Sequence, residues 1–140
     1  MPDVNVLVGA YRTDAPHHAA LTAWLTTAVN APEPVGISDA VLTGFVRVVT
    51  HPRVFAEPTP PSRALAQASA LRDAVGVLLV RPGTTFWSTF QALCTNGNAR
   101  GNLVADAAHA ATAIEANATW ITLDRDFARF PGLKWASPLA

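Results

Sequence analysis

Short apolar runs alternate with longer amphipathic stretches along the whole chain. Four apolar runs have the length of buried strands, and we predict strands at 4–8, 35–37, 77–80 and 120–123. Between them, hydrophobic residues recur at helical spacing over 15–29, 38–49, 62–74, 84–97 and 102–117. Strands that alternate with helices are typical of βαβ units. The pattern therefore predicts an α/β fold with a mostly parallel sheet covered by helices on both faces.

Capping and breaking residues set the boundaries of these elements. The predicted N-caps of the first four helices are Asp14, Ser38 or Asp39, Ser62, and Thr84 or Thr85. Three prolines make 57–61 a loop, and residues 125–130 form a short helical turn after the last strand. From Pro131 onward we expect a tail in which Leu133 and Trp135 are available to dock.

Length and composition fit a single domain over residues 1–140. Half of the residues are hydrophobic and only 14% are charged, so part of the apolar surface is available to a partner chain. The lone cysteine, Cys94, excludes an internal disulfide and favours a reducing compartment. No signal peptide or long apolar run is present, so we expect a cytoplasmic protein without a membrane segment.

The charge balance limits how the chain can meet nucleic acid. The formal net charge is zero, which excludes a protein that coats nucleic acid through a general positive charge. Nine of the ten cationic residues are arginine, the side chain best shaped for bidentate phosphate contact. Any RNA contact must therefore use a local patch. The candidates are Arg47, Arg53, Arg81, Arg100, Arg125 and Arg129.

Four of the ten acidic residues stand at the ends of predicted elements, in otherwise apolar sequence. Asp3 adjoins the first strand, Asp106 lies in the first turns of the last long helix, and Asp124 and Asp126 follow the last strand. Ligands of parallel α/β sheets bind at the carboxyl ends of the strands. These acids are therefore candidates for one shared site.

Converging carboxylates repel one another and raise each other's pKa unless a cation lies between them. Ligation by oxygen alone favours Mg²⁺ or Mn²⁺ over zinc. The fitting chemistry is phosphodiester hydrolysis, in which the metal activates water and neutralises phosphate charge. The alternative is that Asp106 and Asp124 are ordinary helix caps and Asp3 a surface charge.

Three sequence blocks resemble one family. The opening DVNVLV is similar to the first strand of PIN domains, GNLVADAAHA to an internal segment of VapC-type toxins, and TLDRDFARF to their final motif. The resemblance covers nearly the whole chain. It implies an α/β/α sandwich, a metal-dependent endoribonuclease with Mg²⁺ or Mn²⁺, an inhibitory VapB-like antitoxin and usually a homodimer.

The same resemblance implies roles for individual residues. Asp3, Asp106 and Asp124 become the catalytic metal ligands or the groups that orient them. Asn5 and Thr122 become donors that hold the carboxylates in place. Asp126 is either a fourth acid or the cap of the short helix.

One position departs from the family pattern. Where most PIN nucleases have a glutamate, six residues after Ser38, this chain has Gly44. This puts a second metal site in doubt. Asp39 is a possible substitute, although an N-cap is its simpler role. The alternative function is a weak or inactive PIN domain that binds RNA or antitoxin.

Two further classes of function fit the sequence less well. An aspartyl phosphotransferase needs a second aspartate where Asn5 stands and a lysine near the site, whereas the only lysine is Lys134. A purely non-enzymatic interaction module leaves the acids unexplained. His109 either helps Asp106 and the phosphate or is a partly buried structural histidine, and Cys94 and the tryptophans are expected to pack in the core or at an interface.

Overall fold

A computed structural model describes residues 1–139. Its helices are α1 (Val4–Tyr11), α2 (His18–Asn30), α3 (Asp39–Val49), α4 (Pro61–Arg72), α5 (Phe86–Gly97) and α6 (Asn102–Glu115). Its strands are β1 (Val35–Ile37), β2 (Val77–Leu79), β3 (Thr119–Ile121) and β4 (Lys134–Ala136), and a 3-10 helix spans Arg125–Arg129. Within residues 1–139, no helix has both the length and the apolar character needed to cross a bilayer.

All strand pairs are parallel. β1 pairs with β2, with Val35 opposite Val77, and β3 pairs with β4, with Trp120 opposite Trp135. The extended N-terminal residues lie along the free side of β3, where the Asp3 amide donates to the Ile121 carbonyl at 2.8 Å. The N-terminal segment therefore delivers Asp3 to the carboxyl end of β3.

Two groups of helices cover these strands. Helix α1 packs against α2 and α3, and α3 against α4, whereas α5 packs against α6, which also contacts β3. The largest fully buried side chains include Trp120, Phe45 and Phe127. The expected α/β/α architecture with parallel strands is confirmed.

The predicted strand at 4–8 is wrong, because these residues begin helix α1. Asp3 has extended backbone angles and its side chain accepts a hydrogen bond from the Val4 amide, so it caps the helix. Val6 and Leu7 are buried. In a short apolar run that is buried on most sides, the spacing of hydrophobic residues does not distinguish a strand from a helix. Here the Asp3 cap favours the helix.

Other boundaries moved by a few residues. Helix α2 begins at His18 rather than after Asp14, and α4 begins at Pro61 rather than after Ser62. The tail expected after Pro131 forms strand β4, which the periodicity did not predict. Ser38 does cap α3, since its hydroxyl accepts from the Val41 amide at 3.2 Å.

Candidate functional site

Three separate parts of the chain bring acids to one cavity. Asp3 ends the N-terminal extended segment, Asp106 lies in the second turn of α6, and Asp124 caps the 3-10 helix that follows β3. All three line a cavity of about 630 Å³, together with Asn5. The structure therefore places the three acids around the same space, as the resemblance implied.

The carboxylate of Asp3 is held from two sides. One oxygen accepts from the Val4 amide and the other from the Thr122 hydroxyl, both at 2.6 Å. Thr122 is completely buried, so this hydroxyl has no competing water. Burial raises the pKa of Asp3 above its usual range, and the hydrogen bonds from Thr122 and Val4 oppose that rise. These bonds fix the orientation of the carboxylate.

Asn5 and Thr122 extend this network to the segment that carries Asp124. The Asn5 amide donates to the Thr122 hydroxyl at 3.3 Å, and the Asn5 oxygen accepts from the Leu123 amide at 3.3 Å. The Thr122 hydroxyl in turn accepts from the Asp124 amide at 3.0 Å. The start of α1 and the end of β3 are thereby locked together.

Asp106 is in a different electrostatic position. Burial, together with repulsion by Asp3 and Asp124, raises its pKa to about 6, and Arg129 only partly opposes this rise. The two ion pairs within residues 1–139 join Arg12 to Asp14 and Arg72 to Asp39, so neither neutralises Asp3, Asp106 or Asp124. A cation beside Asp106 would therefore stabilise its ionised carboxylate.

The donor set fits a hard divalent cation such as Mg²⁺. All candidate ligands are carboxylate or amide oxygens, and no arginine or lysine pairs with Asp3, Asp106 or Asp124 in the described part of the chain. Within residues 1–139, no group of three or more His, Cys, Asp or Glu side chains is placed so that it could hold a metal ion. Mg²⁺ commonly keeps several waters and is bound by one or two carboxylates, so an incomplete protein shell is compatible with it.

The two auxiliary acids lie apart from this cavity wall. Asp126 is exposed in the first turn of the 3-10 helix, where its amide donates to Asp124 at 2.8 Å, and its charge adds to the rise in the pKa of Asp106. Asp39 does not cap α3 and does not reach the acids. It pairs with Arg72 at 3.0 Å across α3 and α4.

Gly44 faces a second cavity of about 670 Å³ that Asp3 and Asp106 also line. A Cβ atom at this position would lie 2.8 Å from Cγ2 of Val4, which is closer than a side chain tolerates. The glycine thus lets α3 approach the start of α1, and it leaves the second cavity open beside the acids.

Sequence reasoning left two features of these cavities unplaced, because it did not single out Phe55 and it named Arg47 only as one of six candidate RNA contacts. Phe55 lines the first cavity, and its ring is held under the Arg12 guanidinium at 4.0 Å. Arg47 lines the second cavity, one helical turn beyond Gly44 on α3. The spacing of Gly44 and Arg47, three residues apart on one helix, was the available signal for the second feature.

His109 is partly buried, and its side chain also lines the cavity beside Gly44. Its ring stacks on Trp120 with centroids 5.3 Å apart, and burial lowers its pKa, so the imidazole is neutral near pH 7. Cys94 is half-buried against the core, whereas Trp87 is 62% exposed rather than packed.

The chain is similar to known proteins over nearly its whole length. Residues 1–133 match the PIN domain family. Ribonuclease VapC43 of Mycobacterium tuberculosis is 48% identical over 98% of this chain and 93% of its own length. Ribonuclease VapC25 of the same species is 34% identical over 97% of this chain and 96% of its own length.

Two solved structures share the fold at low identity. A VapBC2 structure from Rickettsia felis, bound to a DNA fragment from its promoter, superposes with a TM-score of 0.68 at 19% identity and covers 98% of this chain and 96% of its own. VapBC-1 from nontypeable Haemophilus influenzae gives 0.70 at 16% identity, covering 100% and 98%. The chain therefore belongs to the PIN-domain family and, within it, to the VapC ribonucleases.

Proposed function

We propose that this chain is a metal-dependent endoribonuclease and the toxin of a toxin–antitoxin pair. The observation that carries the proposal is the shared cavity of Asp3, Asp106 and Asp124, with two of these acids tied together through Thr122. The sequence identity with curated VapC ribonucleases supports the RNA substrate. An RNA-cleaving toxin acts where RNA is translated, so we place the chain in the cytoplasm.

In this proposal Asp3, Asp106 and Asp124 hold Mg²⁺ or Mn²⁺, which supplies an activated water and charge neutralisation at the scissile phosphate. Thr122 keeps Asp3 in one orientation on the cavity wall, and Asn5 holds the Thr122 hydroxyl in place. The pKa of Asp106 is about 6, so its carboxyl is mostly ionised at the near-neutral pH of the cytoplasm. Phe55 contributes an apolar side chain to the lining of the same cavity.

The test is cleavage of structured RNA by the purified protein, with and without Mg²⁺. Asp3→Ala and Asp106→Ala should abolish cleavage, whereas Asp73→Ala should not, because Asp73 is an exposed residue at the end of α4. Loss of all cleavage in EDTA and its return with Mg²⁺ or Mn²⁺ is expected. Equal rates for the parent and both site variants would refute the assignment.

A second candidate function rests on Gly44. Without a glutamate at this position, a second cation lacks a carboxylate, so a weak or inactive domain that only binds RNA or antitoxin remains the competing proposal. If the first proposal is correct, cleavage needs millimolar Mg²⁺ or prefers Mn²⁺, which binds oxygen ligands more tightly. Binding of RNA without cleavage at any metal concentration supports the second.

We also propose a VapB-like antitoxin and a homodimer as the partners. Exposed apolar side chains, among them Leu65, Val75 and Leu78, are available for such contacts. A basic antitoxin side chain beside Asp106 would substitute for the cation and inhibit the enzyme. Co-expression with the neighbouring reading frame, followed by size-exclusion chromatography, tests both partners, and recovery of only free monomer counts against them.

A further inference from the structure

The second cavity, beside Gly44, is lined by several residues other than the proposed catalytic acids. It extends from Asp3 and Asp106 away from the Phe55 wall, and its volume of about 670 Å³ is within the range of sites that hold a nucleotide-sized ligand. One side of the cavity is the face of α3 formed by Ala40, Thr43, Gly44 and Arg47, which follow each other at helical spacing. Three small residues and one arginine therefore line this side.

Arg47 is the cation that lines this cavity, and it is exposed. Both ion pairs within residues 1–139 belong to other arginines, so the Arg47 guanidinium has no carboxylate partner in the described part of the chain. A planar guanidinium with free donors binds a phosphate through two hydrogen bonds. Its position on the same wall as Gly44 directs that charge toward the space beside the acids.

The two cavities that meet at Asp3 and Asp106 differ in charge. The first is lined by Phe55, Val48 and Val54 and also by Asp14, whose charge is paired with Arg12. The second combines Arg47 with the polar side chains of Thr43 and Asn102. Asp124 also lines the first cavity, so an RNA strand that crosses the acids meets a further carboxylate on that side and the Arg47 guanidinium on the other. The backbone phosphate is favoured on the side of Arg47.

We infer that Arg47 and the cavity opened by Gly44 form a binding subsite for an RNA backbone phosphate next to the scissile one. The inference rests on the proposed function, because it takes RNA as the ligand. In this arrangement Gly44 is required for space: a side chain there would crowd Val4 and fill the cavity. Arg47 binds substrate and contributes positive charge on the side where the family's glutamate is missing.

The test separates phosphate binding from cleavage. Anisotropy of a short fluorescent single-stranded RNA is measured in EDTA across a salt series for the parent, Arg47→Ala, Arg47→Lys and Arg63→Ala. Arg63 is a matched control, because it lines a different cavity at α4 and forms no ion pair in the described chain. Arg47→Ala should weaken binding about tenfold and reduce the slope of log K against log salt by about 0.7, the value for one phosphate contact on a single strand.

Arg47→Lys should restore the salt slope but only part of the affinity, since lysine keeps the charge and loses the bidentate geometry. In Mg²⁺, Arg47→Ala should raise KM for RNA cleavage more than it lowers kcat. Parent affinity and slope in Arg47→Ala would overturn the subsite, even if the protein cleaves RNA. The converse result, a parent that binds RNA through Arg47 but never cleaves it, would overturn the proposed catalysis and keep the subsite. If Arg47→Ala impairs only antitoxin binding, the cavity is a protein site and the inference is wrong.

Discussion

Asp106→Asn tests the electrostatic account of the site without any RNA. The pKa of Asp106 is raised from 3.8 to about 6 by burial and by the charges of Asp3 and Asp124. At 1.36 kcal/mol per pKa unit, this difference corresponds to at most ~3 kcal/mol of destabilisation when the group is ionised. Asp106 is only half-buried, so solvent screening reduces the expected effect to roughly 1 kcal/mol.

The sign of the pH dependence follows from the raised pKa. A carboxyl whose pKa is higher in the folded protein than in the unfolded chain destabilises the fold once it is ionised. That penalty is absent below about pH 3.8 and is fully present above about pH 6. Asp106→Asn should therefore stabilise the metal-free protein at pH 8, by about 3 °C in Tm, and this gain should vanish near pH 4.

The assay is thermal or urea unfolding in EDTA at several pH values, and then again with Mg²⁺. Asp3→Asn is the matched control, because its carboxylate accepts bonds from Val4 and Thr122 and is not simply a repelling charge. The pKa of Asp3 is also raised by burial, but an asparagine amide cannot accept from both Val4 and Thr122, so the lost hydrogen bond should offset the removed charge and leave no gain at pH 8. Mg²⁺ should raise the Tm of the parent more than that of Asp106→Asn. A variant that is less stable than the parent at pH 8, or whose gain is independent of pH, would show that repulsion and burial do not govern Asp106.

Three further predictions concern single contacts. Gly44→Glu should lower the free energy of unfolding by about 1–3 kcal/mol, because the glutamate Cβ would lie 2.8 Å from a methyl group of Val4. Urea or thermal unfolding measures this loss, and the additional substitution Val4→Ala should recover part of it. Thr122→Val keeps the shape but leaves Asp3 and the Asp124 amide without their partner, so cleavage should fall about 10–100-fold; unchanged kcat/KM would contradict the orienting role. Arg12→Ala removes the hydrogen bonds to the Glu57 carbonyl and to Thr59, and also the contact with Phe55. Limited proteolysis should therefore detect faster cutting near residues 55–60. An unchanged digestion pattern would contradict this prediction.

Much of the fold followed from local pattern. The short apolar runs of β1 and β2 were predicted correctly, and Ser38 is one of the two residues expected to cap α3, because strand length, apolar runs and side-chain caps are local properties. The opening residues were misassigned for the same reason. Four apolar residues within five positions suit a buried strand or a buried helix, and the hydrogen bond from the Val4 amide to Asp3 marks the start of the helix.

The members of the acid site could be named from the sequence, because Asp3, Asp106 and Asp124 stand at element ends inside motifs with characteristic spacing. The contacts that position these acids could not be predicted from the sequence. The pairing of the N-terminal segment with β3 sets the distance between Asp3 and Thr122, and these residues are 119 positions apart in the chain. Likewise, the raised pKa of Asp106 depends on burial and on charges brought close by folding.

The surroundings of the site were decided by tertiary packing alone. Sequence identified Gly44 as a departure, but the close approach of Val4 gives the physical reason for a glycine there. The ion pair of Asp39 with Arg72 cannot be seen in the sequence, nor can the lack of a carboxylate partner for Arg47 within residues 1–139, because a salt bridge between helices depends on which faces meet. Composition and motif spacing thus determined the chemistry available to this protein, whereas the contacts between distant segments determined which charges are neutralised and which remain free to bind.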